Sequence, residues 1–192
     1  TGELQQEYTD DKDFQTNVHI LRDQITHCKQ TLTQLLANAG QSRTEDGSGE
    51  PVDYFLRQVL DKWKLMRPAI QFTYQCQGED PAPQIMGNQS LSQSILNLLN
   101  NAADASSECI KITSNWKDNE LHLEIIDDGK GLSDEAKQRA GEAFFTSKKP
   151  GQGFGIGLFL ANANIERFGG NVRLFNHESG GACTYVTLPL IG

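Results

Sequence analysis

The spacing of apolar residues separates an N-terminal helical segment from a longer region in which helices and strands alternate. Between residues 14 and 35, apolar side chains recur at alternating steps of four and three residues, with polar side chains between them. Such a narrow seam is typical of a helix that pairs with other helices in a dimeric hairpin or bundle. The alternative is one amphipathic helix packed on its own domain. The seam consists of Phe14, Val18, Leu21, Ile25, Cys28, Leu32 and Leu35.

A polar stretch follows the seam. Residues 40–50, GQSRTEDGSGE, contain Gly and Ser but no apolar residue, which indicates a linker. We therefore expect three parts: a helical domain at 1–40, a linker at 41–50 and a second domain at 51–192.

The second domain alternates between the helical period of 3.6 and the strand period of two. This order predicts an α+β fold, a two-layer α/β sandwich with one mostly antiparallel sheet and helices on one face. The predicted elements are a helix from Pro51 to before Pro68, a strand at 69–76, a helix from about Asn88, strands at 109–116 and 120–127 joined by a turn at 117–119, a Gly-punctuated stretch at 128–157, a helix to about Phe168, and strands at 171–176 and 182–188.

The helix that contains NLLNNAADAS (residues 97–106) has an unusual polar stripe. At about 100° per residue, Asn97, Asn100, Asn101 and Asp104 lie on one side of it, and the apolar residues lie on the other. Asn is a poor helix former, so helix stability does not explain the stripe. The amide oxygens could ligate a hard cation such as Mg²⁺ that also carries phosphate oxygens. The alternative is a solvated face.

Two Gly-rich segments add candidate chemistry. DDGKGL (127–132) directly follows an alternating strand; Asp127 offers a carboxylate that can accept from an exocyclic amine, and Gly129 and Gly131 allow close backbone approach. GQGFGIGL (151–158) precedes an apolar helix, and bare N–H groups at a helix start can bind an anion. It has neither the Walker A nor the GxGxxG spacing. The alternatives are a plain turn and a flexible loop.

Composition limits the classes of function. The net charge is −8 and the hydrophobic share is 37%, and the mean hydropathy is −0.50. This acidic balance argues against a general nucleic-acid or anionic-membrane surface. The four cysteines are far apart in the sequence, which suggests neither a zinc site nor a disulfide framework. No apolar run is long enough to span a membrane. The chain begins with Thr1 and not with Met, so we expect it to be a piece of a longer protein.

Taken together, the motifs of residues 51–190 resemble the ATP-binding domains of the GHKL superfamily, in the order and spacing of the sensor histidine kinases. NLLNNA (97–102) is similar to their N box, DDGKG (127–131) to the G1 box, FFTSK (144–148) to the F box and GFGIGL (153–158) to the G2 box. GGACTYVTLPL (180–190) is similar to their terminal strand pair. The resemblance implies the Bergerat fold, here preceded by a long coiled-coil-type helix that resembles part of their dimerisation and histidine phosphotransfer domain.

The resemblance also implies ATP and Mg²⁺ as cofactors and roles for single residues. Asn101 would be the principal Mg²⁺ ligand with Asn97 supporting it, Asp127 would bind the adenine amine, and Lys148 would contact phosphate within a lid at 141–153. Asn97, Asn101 and Lys148 would thus be the catalytic residues. The implied nucleotide contacts are Asn97, Asn101, Asp127, Gly129, Gly131, Leu132, Lys148, Gly153, Phe154, Gly155, Ile156, Gly157, Leu158 and Thr184.

Such a domain transfers the γ-phosphoryl of ATP to a His and from there to an Asp of a response regulator. The acceptor motif, a His followed by an acidic residue and shortly after by Pro, is absent here, so the acceptor is expected outside this chain. In the ATPases of the superfamily a Glu matches Asn97 and activates water, which an amide cannot do. At Asp104 many histidine kinases have a basic residue or aromatic, so a phosphate contact there is not carried over.

The resemblance further implies a homodimer through the N-terminal helix of the full-length protein, a cytoplasmic domain, and a parent protein anchored in the inner or plasma membrane by segments absent from this chain. NAADAS (101–106) looks closest to the nitrogen-sensor and RegB/PrrB-like redox kinases. Two alternatives remain: a non-catalytic nucleotide-binding dimerisation module and, within the superfamily, a kinase of the serine or branched-chain/pyruvate dehydrogenase type.

Overall fold

A computed structural model of the chain describes residues 49–78, 80–106, 108–139 and 157–191. The helical seam at 14–35 and most of the predicted linker lie outside these residues. The described helices and strands are β1 (Glu50–Pro51), α1 (Val52–Met66), β2 (Gln71–Cys76), β3 (Gln84–Ile85), α2 (Gln89–Ala105), β4 (Cys109–Lys117), β5 (Glu120–Ile126), α3 (Asp134–Arg139), α4 (Gly157–Arg167), β6 (Asn171–Asn176) and β7 (Ala182–Pro189).

Five of the strands form one sheet in the order β2-β4-β5-β7-β6. The β2–β4 pair is parallel, whereas β4–β5, β5–β7 and β6–β7 are antiparallel. Among the described strands, β6 therefore lies at one edge of the sheet and pairs with β7. The prediction of a mostly antiparallel sheet in an α/β sandwich is confirmed.

The core lies between this sheet and helices α1, α2 and α4, whose apolar faces join a single buried cluster. In β5 the residues at every second position are buried, and in α2 the predicted apolar face is buried throughout. Because alternate strand residues point to opposite faces, Leu121, Leu123 and Ile125 face the helices. The buried apolar residues of α2 are Leu91, Ile95, Leu96, Leu98, Leu99, Ala102 and Ala103.

Local signals determine where these elements begin and turn. Asn88 caps α2, because its side-chain Oδ1 accepts from the Leu91 N–H at 2.8 Å. The β4–β5 hairpin turns at Asp118 and Asn119, both with positive φ, as a two-residue loop of type I′ requires. The predicted helix start near 88 and the predicted turn at 117–119 are therefore confirmed.

Two features differ from the sequence prediction. Glu50, the last residue of the predicted linker, belongs to β1, which pairs with β3 in a separate two-stranded ladder. The predicted Gly-punctuated stretch contains the short helix α3, which follows Ser133; the Ser133 hydroxyl accepts from the Ala136 N–H at 3.2 Å. A capping Ser followed by two acidic residues was a readable helix signal. Among the described helices, none is sufficiently long and apolar to cross a bilayer.

Candidate nucleotide-binding site

The polar stripe of α2 is divided between two roles. Asn100 Oδ1 accepts hydrogen bonds from Trp63 Nε1 and from Arg67 Nε, each at 3.2 Å. Arg67 Nη2 also donates to Asp104 Oδ1 at 2.9 Å. Asn100 and Asp104 therefore attach α2 to the C-terminal end of α1. The expectation that all four residues of the stripe share one solvated or ligand-binding face is wrong for these two.

Asn97 and Asn101 lie on the other part of the stripe. Successive helical residues are about 100° apart, so the contact of Asn100 with α1 turns Asn101 away from α1. Both are half-buried. Asn97 Oδ1 accepts from Gln93 Nε2 at 3.1 Å, and no side chain or backbone group of the described residues hydrogen-bonds the Asn101 side chain. A half-buried amide oxygen without a protein partner fits a ligand of Mg²⁺.

Asp127 directly follows β5 and is buried, with 6% of its surface exposed. Its Oδ1 accepts from the N–H groups of Gly129, at 2.9 Å, and of Ala182, at 3.1 Å. The described residues make no hydrogen bond to Oδ2, and among them no buried side-chain oxygen or nitrogen lacks a partner. Oδ2 is therefore open to solvent, and one oriented carboxylate oxygen remains free to accept from a ligand.

The glycines around Asp127 are required by close packing. A Cβ on Gly129 would overlap the carbonyl oxygen of Ala105 at the end of α2, and a Cβ on Gly181 would overlap the carbonyl oxygen of Asp127. Gly131 and Gly181 also have φ values of +73° and +75°, which residues with a Cβ rarely adopt. The loop 127–132, hereafter the G1 loop, thus lies against both α2 and the β6–β7 hairpin.

Asp128 has a different task from its neighbour. Its Oδ1 accepts from the Ser106 hydroxyl, and its Oδ2 accepts from the N–H groups of Glu108, at 2.9 Å, and Cys109, at 3.2 Å. These contacts join the G1 loop to the connection between α2 and β4. The G1 loop, which begins with Asp127, is therefore fixed to the C-terminal end of α2, the helix that carries the asparagines.

The remaining predicted contacts divide into described residues and residues outside the described ranges. Thr184 is buried and pairs with Ile125, so it lies on the helix-covered face of the sheet, where Asp127 also points by alternation. Gly157 is the first residue of α4 and Leu158 the second, as expected of the end of the G2 box. Lys148, Gly153, Phe154, Gly155 and Ile156 lie outside the described residues.

Three residues of this region were not found from the sequence: Asn176, Gly181 and Arg67. Asn176 Oδ1 accepts from the Leu132 N–H at 2.6 Å, and its Nδ2 donates to the Leu132 carbonyl at 3.2 Å. The pair of Gly residues at 180 and 181 was the one available signal, and it points only to Gly181. Asn176 and Arg67 have no such signal, because their contacts cross 44 and 37 residues of sequence.

One thiol lies beside the site. Cys183 is buried; this burial, together with the nearby carboxylates of Glu124 and Asp127, raises the pKa of the thiol to about 11. The thiolate is the reactive form of Cys. Cys183 is therefore protonated and unreactive near neutral pH.

Comparison with known proteins shows the family of the chain. Residues 87–192 match the HATPase_c family, described as histidine kinase-, DNA gyrase B- and HSP90-like ATPase. The sensor histidine kinase RegB of Cereibacter sphaeroides is 25% identical over 187 residues, which cover 92% of this chain and 40% of RegB. The chain thus spans well under half the length of this relative.

Solved structures show the same fold. The catalytic domain of the histidine kinase ThkA has a TM-score of 0.64 and 26% identity, covering 74% of this chain and 94% of ThkA. Full-length ShkA, solved in complex with AMPPNP, has a TM-score of 0.65 and 24% identity, covering 94% of this chain and 39% of ShkA.

The fold and the motifs define an ATP-binding domain of the GHKL type. The chain belongs to the HATPase_c family, and its relatives are sensor histidine kinases. The predicted family, including its likeness to RegB, and the predicted fold class are confirmed.

Proposed function

We propose that this chain is the ATP-binding catalytic part of a two-component sensor histidine kinase, which transfers the γ-phosphoryl of ATP to a His outside residues 1–192. The observation that carries the proposal is a pair of side-chain oxygens without a protein partner among the described residues. Asp127 Oδ2 and the Asn101 amide oxygen accept no hydrogen bond from those residues, whereas Asp127 Oδ1 accepts from two N–H groups.

The base of the nucleotide would be bound at the G1 loop. Asp127 Oδ1 is occupied by two N–H groups, so Oδ2 is the oxygen that accepts from the exocyclic amine of adenine. Gly129 and Gly131 lack the Cβ atoms that would overlap α2 and the β6–β7 hairpin, and the backbone that they shape would lie against the ring. Leu132 and Thr184 would complete this end of the site.

The phosphates and the metal would lie nearer to α2 and α4. Asn101 would ligate Mg²⁺ with support from Asn97, and the ion would neutralise part of the negative charge of the phosphates. The backbone of the G2 box would present N–H groups to the phosphates, just before and at Gly157, where α4 begins. Lys148 would contribute a cation from the predicted lid.

Asn97 favours a kinase over an ATPase. A carboxylate at this position could take a proton from water, whereas an amide cannot. Slow hydrolysis would preserve the phosphoryl group for a His acceptor.

The partners that follow are a response regulator and a second copy of the full-length protein, joined through the N-terminal helix. The domain itself would be cytoplasmic, and membrane anchoring would involve segments outside this chain.

The test has two stages. First, titration calorimetry of the chain with ATP in Mg²⁺ and in EDTA should show binding that Mg²⁺ strengthens. Asn101→Ala should remove most of the Mg²⁺-dependent gain and leave the affinity in EDTA unchanged. Binding of ATP with equal affinity by Asn101→Ala and the parent in Mg²⁺ would contradict the metal assignment.

Second, the chain should be incubated with radiolabelled ATP, alone and with a separately made acceptor hairpin of a RegB-type kinase. We expect acid-labile phosphohistidine on the hairpin and none on the chain alone. ATP binding without transfer would instead support the alternative, a non-catalytic nucleotide-binding dimerisation module. Phosphohistidine on the isolated chain would contradict an acceptor outside residues 1–192.

A further inference from the structure

The side chain of Asn176 pairs with the backbone of a single residue of the G1 loop. Its Oδ1 accepts from the Leu132 N–H at 2.6 Å, and its Nδ2 donates to the Leu132 carbonyl at 3.2 Å. A primary amide offers an acceptor and a donor side by side in one plane, and near neutral pH, where carboxylic acids are ionised, only Asn and Gln have this pair. Asn176 is the last residue of β6. Its side chain makes with Leu132 the two hydrogen bonds that the backbone of a neighbouring strand would otherwise make.

The G1 loop is consequently fixed at both ends to the β6–β7 hairpin. At its start, the Asp127 N–H donates to the Ala182 carbonyl at 3.0 Å, and Asp127 Oδ1 accepts from the Ala182 N–H at 3.1 Å. At its end, Asn176 holds Leu132. Asn176 and Ala182 are themselves paired across the hairpin, so both attachments share one rigid base.

The contact at Leu132 also determines the conformation of Gly131. A Cβ on Gly131 would lie 2.9 Å from Asn176 Oδ1 and 3.2 Å from the Gly181 carbonyl oxygen. With a φ of +73°, Gly131 makes the turn that brings the Leu132 N–H to the amide. One residue beyond Leu132, Ser133 caps α3, so the loop has little freedom on that side.

We propose that Asn176 is a positioning residue for the nucleobase. It fixes the Gly131–Leu132 backbone in the conformation that receives the flat ring of the base next to Asp127, without contacting the nucleotide itself. This inference rests on the proposed function, since it concerns how that same site binds adenine. Without the amide, binding has to order the end of the loop, and that ordering reduces affinity.

The test compares Asn176→Ala and Asn176→Asp with a matched control, Asn171→Ala. Asn171 is the same residue type at the opposite end of β6 and is also exposed. The Asp variant keeps the size of the side chain and the acceptor for the Leu132 N–H, but places an oxygen against the Leu132 carbonyl. Calorimetry in Mg²⁺ measures the affinity of each variant for ATP, ADP and inorganic tripolyphosphate, and thermal unfolding gives the Tm of each.

We expect both Asn176 variants to bind ATP and ADP about tenfold more weakly, which corresponds to about 1.4 kcal/mol. Tripolyphosphate, which lacks the base, should bind to them as it does to the parent. Asn171→Ala should retain all three affinities. The titrations are made at a temperature well below every Tm. A variant that is merely less stable would then not lose affinity for ATP and ADP while keeping its affinity for tripolyphosphate.

The outcomes distinguish this inference from the proposed function. If the parent chain does not bind ATP, the proposed function is wrong and this inference is wrong with it. If the parent binds ATP and the Asn176 variants bind it equally well, only the positioning role is wrong. Equal weakening of ATP and tripolyphosphate would also overturn the positioning role.

Discussion

Arg67 forms an ion pair with Asp104 across two helices, with Nη2 and Oδ1 separated by 2.9 Å. The side chains are 39% and 31% exposed, so water and salt screen the pair. A double-mutant cycle of Arg67→Ala and Asp104→Ala should give a coupling of about 0.2–1 kcal/mol in urea unfolding, smaller at high salt. Since Asp104 is engaged by α1, neither variant should change the affinity for ATP. A selective loss of Mg²⁺-dependent binding in Asp104→Ala would show that Asp104 belongs to the ligand site.

Asn100 should matter more for stability than the ion pair beside it. Trp63 is fully buried, and its Nε1 donates to Asn100 Oδ1. Asn100→Ala leaves this buried donor unpaired, which costs about 1–3 kcal/mol in the free energy of unfolding. Asn100→Asp keeps an acceptor at the same place and is the matched control. Equal unfolding midpoints for Asn100→Ala and the parent would contradict the structural role of this hydrogen bond.

Asn97 offers a test of kinase against ATPase chemistry. Asn97→Glu introduces a carboxylate that can act as a general base, and such a base contributes about 10²-fold to 10⁴-fold when well placed. We therefore expect Asn97→Glu to raise steady-state ATP hydrolysis, measured by release of inorganic phosphate. Asn97→Gln has the same length without the base and should stay at the level of the parent. Rapid turnover of ATP by the parent itself would remove the basis of this prediction.

Local patterns predicted the fold well because each one is determined by residues close in sequence. The apolar periods of α1 and α2 and the alternation in β5 depend on burial against a single layer, and the turn at Asp118–Asn119 depends on two consecutive residues. For the candidate site, Asp127 could be selected because it follows a strand and precedes a glycine. That Oδ2 of Asp127 stays free could not be anticipated, since Ala182, one of the two partners of Oδ1, lies 55 residues away in the sequence.

Long-range contacts account for what the sequence did not indicate. Asn100 and Asn101 are the same residue type at adjacent positions, and only the location of Trp63 and Arg67 tells them apart. Asn176 carries no motif of its own, and its pairing with Leu132 depends on the register of β6 with β7. The β1–β3 ladder likewise joins segments too short to have a period.

Cys183 provides a prediction about pH. Its thiol pKa is raised from 9.0 to about 11, first by burial and then by Glu124 and Asp127. Because the folded state holds this proton more tightly, its contribution to stability is complete below about pH 9 and is lost as the pH rises towards 11. Cys183→Ala should weaken the alkaline decline in unfolding free energy.

The same thiol can be followed chemically. At pH 8, alkylation with peptide mapping by mass spectrometry should modify the exposed Cys76 much faster than Cys183. Modification of both at the same rate under native conditions would show that Cys183 is not protected as the fold requires.

Asp127 allows the sharpest test of base recognition. In Asp127→Asn the Oδ1 position must remain an oxygen, because it faces the N–H groups of Gly129 and Ala182. The amide nitrogen then takes the place of Oδ2 and presents donors to the ligand. The exocyclic amine of adenine is a donor and would face another donor there. The 6-oxygen of hypoxanthine is an acceptor and can pair with the amide nitrogen. We expect the variant to lose about 1–3 kcal/mol in ATP binding, roughly 5-fold to 150-fold, and to bind inosine triphosphate better than ATP. Tripolyphosphate binding, unaffected by either base, is the control; an unchanged preference for ATP over inosine triphosphate would show that Asp127 does not contact the 6-position of the base.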